Sequence, residues 1–544
     1  MSTDDGGART RELIDRTVRS MFDAIPAQGR VSGDHSYDGV LGDTGPAWPA
    51  RRAEELDSLA AELAVASTSP GDAALRADLA TARIAVADEL FHLRVLRAPS
   101  SDPQWALWRG CDVSTYVTRA YAPAHDRADA ATRHLEALPD WLDAAAGLLD
   151  AELATVPRDI AVESVRGHAA FYRDEVRAEL GDLGDPVLQA RLDRAIELGA
   201  AACERHAERL EAAGARDDWA LGPDRFVAML HAQEGVEETM ASLRDRVDAE
   251  LEALTDRGRE LAGRTGAPSL GAALASLEAT HPPRDGLLTA AQEMVDRLRD
   301  FWASRDVLTL PEGVECTVRR SPSFYSFITA AFDNPGFLES VPLPHFYWIT
   351  TVDPAWSDEQ ADGWLRHLNN ASLENISVHE VFPGHFVQVA NSIRTAGTIR
   401  NVIWCSGFGE GWAHYTELLA VEQGLADGRP ELELAMVQDA LLRVVRFRTT
   451  VGVHAEGIPL DEGIRLFEER AHIPRIAAER EARRATWDPM YLAYTYGKLE
   501  ILRWRDELSR RPGFSLKRFH DRLLGGGAPP LAVMRDYLLA DGRA

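Results

Sequence analysis

Between Ser377 and Gln388 the chain reads Ser-Val-His-Glu-Val-Phe-Pro-Gly-His-Phe-Val-Gln. His379, Glu380 and His385 fall within seven residues, and two imidazoles with a carboxylate are the donor types of a metal-dependent hydrolase. Such enzymes usually space the two histidines four apart, which puts both on one helix face. Here they stand six apart. At about 100° per residue, an undistorted helix would turn His385 roughly 120° away from His379. Pro383 and Gly384 supply the distortion the spacing needs. Proline has no N–H for the carbonyl of His379 and its ring crowds that carbonyl, while glycine accepts almost any backbone angle. A kink or bulge there is expected to swing His385 back toward His379.

A catalytic zinc keeps three protein ligands and leaves one position for water, so a third ligand should follow. The segment Gly407-Phe408-Gly409-Glu410-Gly411-Trp412-Ala413-His414-Tyr415-Thr416-Glu417 offers Glu410, His414 and Glu417 at i, i+4 and i+7, on one helical face. Glu410 is the first choice as ligand, with His414 and Glu417 orienting an imidazole or a carboxylate from behind. The spacing alone does not decide between Glu410 and Glu417 as the third ligand.

His379-Glu380-Val381-Phe382-Pro383-Gly384-His385 followed by Glu410-Gly411-Trp412-Ala413 resembles the bacterial domain-of-unknown-function 885 family. The likeness extends to Gly33-Asp34-His35-Ser36-Tyr37-Asp38 upstream and to Tyr494-Thr495-Tyr496-Gly497-Lys498-Leu499 downstream. That family is in turn similar to helical gluzincin peptidases such as the thimet oligopeptidase and carboxypeptidase Taq groups. The resemblance implies a zinc metallopeptidase in which Glu380, directly after a ligand, is the base that takes a proton from water. It also brings forward Tyr494 as the donor to a tetrahedral oxyanion, with Tyr496 as its substitute, and Arg484 and Arg505 as clamps for a substrate carboxylate.

The elements that must position these groups are mostly helical. Apolar periodicity and Pro/Gly punctuation give helices over 9–22, over 51–98 with a break at Ser69-Pro70-Gly71, and over 126–153, 160–180, 186–213 and 225–261. After Trp302 the texture changes. Residues 314–318, 324–329 and 344–351 are rich in aromatic and β-branched side chains and read as a small antiparallel sheet, joined by the turn Asp333-Asn334-Pro335-Gly336, next to the metal-binding helix. Helices return at 359–370, 371–391, 398–423, 431–453, 460–471, 475–484, 489–510 and 529–539. The expected fold is mainly α, a large helical metallopeptidase-like fold. It divides loosely into an N-terminal helical part, 1–300, and a catalytic part, 301–544, with a cleft between them.

Composition narrows the partners. With 59 Lys and Arg against 86 Asp and Glu, the formal charge of -27 repels nucleic acid and anionic membranes. No apolar run is long enough to cross a bilayer. Met1–Gly7 lacks a basic stretch leading into an apolar core, and Cys111, Cys203, Cys316 and Cys405 lie far apart with no C-x-x-C pair. Both features point to reduced thiols and a cytoplasmic location. A homodimer is compatible with the chain.

The leading expectation is a zinc-dependent hydrolase of peptide or related amide bonds, with short peptides as substrates, using one divalent ion on His379, His385 and Glu410. Two alternatives stand beside it. The same two histidines and one carboxylate would serve a non-haem iron enzyme, and a catalytically inactive binding protein would keep the fold alone.

Overall fold

The computed structural model describes residues 3–68, 72–322 and 328–540, and the chain forms two compact units. Unit 1 comprises Met1–Trp219 together with Pro335–Pro344; unit 2 comprises Ala220–Asn334 and His345–Ala544. The expected break at 69–71 and most of the expected strand at 324–329 lie outside the described residues.

Unit 1 is built on α1 (Thr3–Ala24), α2 (Trp48–Val65), α3 (Ala73–Phe91), α4 (Ala124–Ala146), α5 (Thr155–Phe171) and α6 (Pro186–Ala212). Local chemistry sets where these helices start. The Asp72 carboxylate accepts from Leu75 N to cap α3, and Asp185 accepts from Val187 N and Leu188 N with Pro186 in the first turn of α6. α6 lies against both α4 and α5 and buries Leu135, Leu138, Val165, Ala195 and Ile196. A two-stranded parallel sheet, β1 (Glu152–Ala154) and β2 (Gly214–Arg216), closes the unit.

Unit 2 opens with α7 (Pro223–Glu234) and α8 (Met240–Thr265), where the sequence pattern suggests one helix over 225–261. Gly235 ends α7 in the left-handed region at φ 66, and Thr239 caps α8 through a reciprocal bond with Ser242. After α9 (Leu287–Ala303) comes a three-stranded sheet of β3 (Cys316–Arg320), β4 (Ala330–Asp333) and β5 (His345–Ile349) in the order β3-β5-β4. This sheet is mixed, not antiparallel throughout: β4 runs antiparallel to β5, and β3 runs parallel to it. The reason is burial. His345-Phe346-Tyr347-Trp348-Ile349 is buried at every position and takes the centre, so the first and third strands, which run the same way, become neighbours. The expected tight turn at 333–336 is also replaced by a longer path, since Pro335–Pro344 leaves the sheet and belongs to unit 1.

The remainder of unit 2 is helical, with α10 (Asn370–Glu380), α11 (His385–Thr395), α12 (Ser406–Glu422), α13 (Pro430–Val451), α14 (Arg475–Ala485) and α15 (Ala493–Ser509). α12 and α15 approach at glycine. A Cβ at Gly411 would lie 2.6 Å from Gly497 Cα, and one at Gly497 would lie 1.8 Å from the Gly407 carbonyl oxygen, so no side chain fits at either. No helix of the described residues is long and apolar enough to cross a membrane.

A candidate metal centre

The sequence 371–391 forms two helices rather than one kinked helix. α10 ends at Glu380 and α11 begins at His385, with Val381–Gly384 between them and a cis peptide bond at Phe382–Pro383. Gly384 N donates to Val378 O at 3.0 Å, which folds the link back onto the end of α10. The Trp412 indole N–H, 3.0 Å from Pro383 O and 3.3 Å from Gly384 O, holds the link from the α12 side. Only glycine fits at 384, because a Cβ there would lie 1.6 Å from His379 O. The two imidazoles consequently meet, with ring centroids 4.9 Å apart and planes at 90°.

Glu410 reaches them from α12. Its Oε2 is 3.5 Å from His379 Nε2 and 3.4 Å from His385 Nε2. His379, His385 and Glu410 each offer a ligand atom within 4.8 Å of the other two, and among the described residues no other group of three His, Cys, Asp or Glu meets that condition. Two imidazole nitrogens and one carboxylate oxygen are a donor set that suits zinc, three being the number of protein ligands a catalytic zinc keeps. Glu417 lies behind them and is not the third member of the set. Its Oε1 is 2.7 Å from His379 Nδ1, while its Oε2 faces His414 Nδ1 at 3.2 Å and Arg443 NH1 at 3.0 Å. A carboxylate can only accept, so Nδ1 of His379 carries a hydrogen, and Nε2, which faces Glu410 and His385, is the nitrogen left to a metal when the ring is neutral. His385 Nδ1 is buried with no hydrogen-bond partner among the described residues.

The electrostatics favour positive charge at this point. Burial, the largest influence, and Arg443 both push the His379 imidazole down, yet Glu410 and Glu417 outweigh them and raise it to about 9. Burial pushes Glu410 up, but the two histidines hold it well below the usual carboxylate range. His414 is driven down to about 3 by burial and by Lys498, and so is a neutral imidazole near neutral pH.

Glu380 follows His379 at the end of α10, and Tyr494 packs against the cluster. Glu380 Oε2 accepts from the Phe332 backbone N–H of β4 at 2.7 Å. Tyr494 stacks on His379 at 6.5 Å and 23°, with the guanidinium carbons of Arg446 and Arg443 at 5.3 and 6.0 Å from its ring centroid. Burial first, then the charge of Glu410, pushes its hydroxyl up to about 12, so it keeps its proton.

Of the other residues singled out from sequence, Tyr496 and Arg505 bond partners outside the cluster, and Arg484 reaches Tyr494 only through Tyr491 and its charge. Tyr496 donates to Glu238 Oε1 at 2.8 Å under the guanidinium of Arg246. Arg505 is bidentate on Glu422, at 2.7 Å twice, and bonds the Tyr415 hydroxyl. Arg484 stacks on Tyr491 at 4.1 Å and uses Nε and NH2 on a single oxygen of Asp488, so its NH1 has no partner among the described residues. Two contributors escape the sequence reading. Phe332 acts through its backbone, which leaves no signature. Arg443 does leave one, as a charge within the apolar run Ala440-Leu441-Leu442-Arg443-Val444-Val445.

Residues 26–538 match the model of a family described as a bacterial protein of unknown function (DUF885). The chain belongs to that family. Two solved structures share the DUF885 chain's fold along its length. One, described as "a putative lipoprotein of unknown function from Shewanella oneidensis", superposes with a TM-score of 0.81 at 20% identity, covering 97% of this chain and 98% of that one. The other, "the putative lipoprotein from Colwellia psychrerythraea", gives 0.80 at 18% identity, with 98% of each chain covered. No curated protein matches this DUF885 chain.

Proposed function

We propose that this protein is a zinc-dependent hydrolase of peptide or related amide bonds, acting on short peptides. The observation that carries the reading is the convergence of His379, His385 and Glu410, with Tyr494 stacked on His379 and Glu380 next to His379 in the chain. A bound zinc would lower the pKa of its water and polarise the substrate carbonyl. Glu380 has Oε2 fixed by Phe332 N–H, which leaves Oε1 to take a proton from water and return it to the leaving amine. Tyr494, protonated at neutral pH, donates its hydroxyl to the oxyanion.

The sheet supports a peptide as substrate. Because Phe332 N–H goes to Glu380, the polar edge of β4 at this residue faces away from β5 and toward the base. An extended backbone added along that edge would bring its carbonyl to Glu380. Of the two arginines, Arg505 has its fork filled by Glu422, so a carboxylate clamp falls to Arg484. The four free cysteines, three of them buried, support a cytoplasmic location, which comparison of membrane and cytosolic cell fractions tests.

The deciding experiment combines metal analysis of protein purified without added metal with mass spectrometry of a mixed short-peptide library. Stoichiometric zinc and cleavage by the wild type are expected, and Glu380→Gln should retain the metal and cleave nothing. Protein that binds no metal, or a Glu380→Gln variant as active as wild type, ends the proposal. Oxygen-dependent turnover on iron would favour the non-haem iron alternative.

A further inference from the structure

Two tryptophans flank the third ligand and differ in surroundings. Trp412 is fully buried and fixes the Val381–Gly384 link through its indole N–H. Trp404 is 40% exposed, although its ring centroid lies only 6.0 Å from that of His385. It also rests against Gly409, the residue before Glu410. A Cβ at Gly409 would lie 2.3 Å from Cζ2, 2.6 Å from Cε2 and 2.9 Å from Nε1 of the indole. The indole is thus seated beside His385 and against the residue preceding Glu410, with two-fifths of its surface open to water. Its placement is fixed by the backbone on both sides, since Ile403 N donates to Ile399 O at 2.9 Å and Cys405 N to Ala528 O at 3.0 Å.

We infer that Trp404 is a specificity-determining residue of this site, and that the position beside His385 selects a substrate residue with an aromatic side chain. The inference rests on the hydrolase reading and adds a substrate class to it. Around His385 the polar work falls to Glu410 and Glu380, and neither has reason to prefer a bulky substrate. An exposed indole does: its flat apolar surface gains by covering, most of all by another ring. Gly409 is the complementary element. The absent side chain lets the indole lie against α12, and alanine there would displace it while suiting the helix at least as well.

The test uses binding, so that turnover is not needed. In the Glu380→Gln protein loaded with zinc, affinities are measured calorimetrically for Ala-Ala-Ala, Phe-Ala-Ala, Ala-Phe-Ala and Ala-Ala-Phe. At least one phenylalanine peptide should bind about tenfold tighter than the alanine peptide, the scale of one buried aromatic pair. Adding Trp404→Ala or Gly409→Ala should erase that preference, and Trp404→Phe should restore part of it. Thermal unfolding of each variant separates loss of preference from loss of fold, and Gly409→Ala keeps the indole in place of deleting it. The inference falls if no phenylalanine peptide is preferred, or if the preference survives both substitutions in folded protein. A preserved preference in a wild-type protein that cleaves none of the four peptides would overturn the hydrolase reading and leave Trp404 in its role.

Discussion

Glu417 holds His379 through Nδ1 at 2.7 Å, and Arg443 holds Glu417 through its other oxygen at 3.0 Å. Both Glu417 and His379 are nearly inaccessible to water, at 2% and 4% exposure. A carboxylate that far from water needs a counter-charge, and Arg443 is what keeps Glu417 ionised against the upward push of burial. The chain of dependence therefore runs from a guanidinium on α13, through a carboxylate on α12, to the tautomer of an imidazole on α10. It fixes which nitrogen of His379 faces Glu410.

Replacing Glu417 by glutamine tests that dependence. The amide keeps an acceptor for His379 but removes the carboxylate that Arg443 bonds, leaving it only the charge of Asp439. Zinc affinity should fall about 10- to 100-fold, the usual consequence of losing a partner that orients a ligand. Stability should fall by up to about 3 kcal/mol, because the buried arginine loses its bonded counter-charge. Competition with a chromogenic chelator reads the first and urea unfolding the second. Unchanged zinc affinity would show that His379 does not rely on Glu417.

Gly384 is the residue on which the unusual histidine spacing depends. A Cβ there would lie 1.6 Å from the backbone oxygen of His379, which cannot yield as a flexible side chain could. The Gly384→Ala variant should lose at least about 3 kcal/mol of stability, the upper range of overpacking costs. It should lose measurable zinc binding with it, because the link that joins the two histidines must move. A Gly384→Ala protein that melts with the wild type and takes up one zinc would disprove the account of the link.

Much of this centre was legible in the sequence, for identifiable reasons. His379, Glu380 and His385 are announced by residue type, and Pro383-Gly384 announces that the helix cannot run straight through them. Glu410 and Glu417 share a helical face, yet spacing could not tell which would point at the imidazoles' Nε2 atoms and which would sit behind Nδ1; that depends on how α12 is rotated against α10. Periodicity found most helices but joined those separated by the short links at 235–239 and 381–384, because a break of a few residues barely disturbs a pattern read over many. The sheet was legible as aromatic and β-branched strands, but not in its order, since strand order follows from which strand is most buried. Arg505 illustrates the remaining limit: its composition fits a carboxylate clamp, and only coordinates reveal that Glu422 already fills its fork.

Tyr494 offers a prediction that separates transition-state from ground-state effects. Its hydroxyl is held protonated by burial and by the charge of Glu410, and its ring is fixed between His379 and two guanidinium groups. Removing only the hydroxyl, in Tyr494→Phe, leaves those ring contacts in place. The turnover number on a cleaved peptide should fall by about 10²- to 10³-fold, the measured scale for deleting one oxyanion donor, with KM little changed. A rise in KM at constant kcat would make Tyr494 a binding residue instead.

In unit 1, His35 lies between two carboxylates, with Nδ1 3.3 Å from Asp38 and Nε2 3.2 Å from Glu339. Tyr121 stacks on its ring at 3.7 Å and donates its hydroxyl to Asp38 at 2.6 Å, while Arg133 donates to the Asp38 carbonyl at 3.0 Å. Burial pulls the imidazole down, but the bonds and charges of Asp38 and Glu339 outweigh it and raise His35 from the ordinary 6.5 to about 9. A group whose pKa is raised by folding stabilises the fold fully below its unfolded value and loses that contribution as pH rises through the folded one. The stabilisation should therefore be complete at pH 6, fade between 6.5 and about 9, and be gone by about pH 10. His35→Asn keeps the size but not the charge. Relative to wild type it should be less stable by about 1 kcal/mol at pH 6, the scale of a partly solvated ion pair, with the gap closing at alkaline pH. Urea unfolding of both proteins at pH 6, 8 and 10 measures it, and a gap that stays constant or widens with pH would contradict a charged His35 held by Asp38 and Glu339.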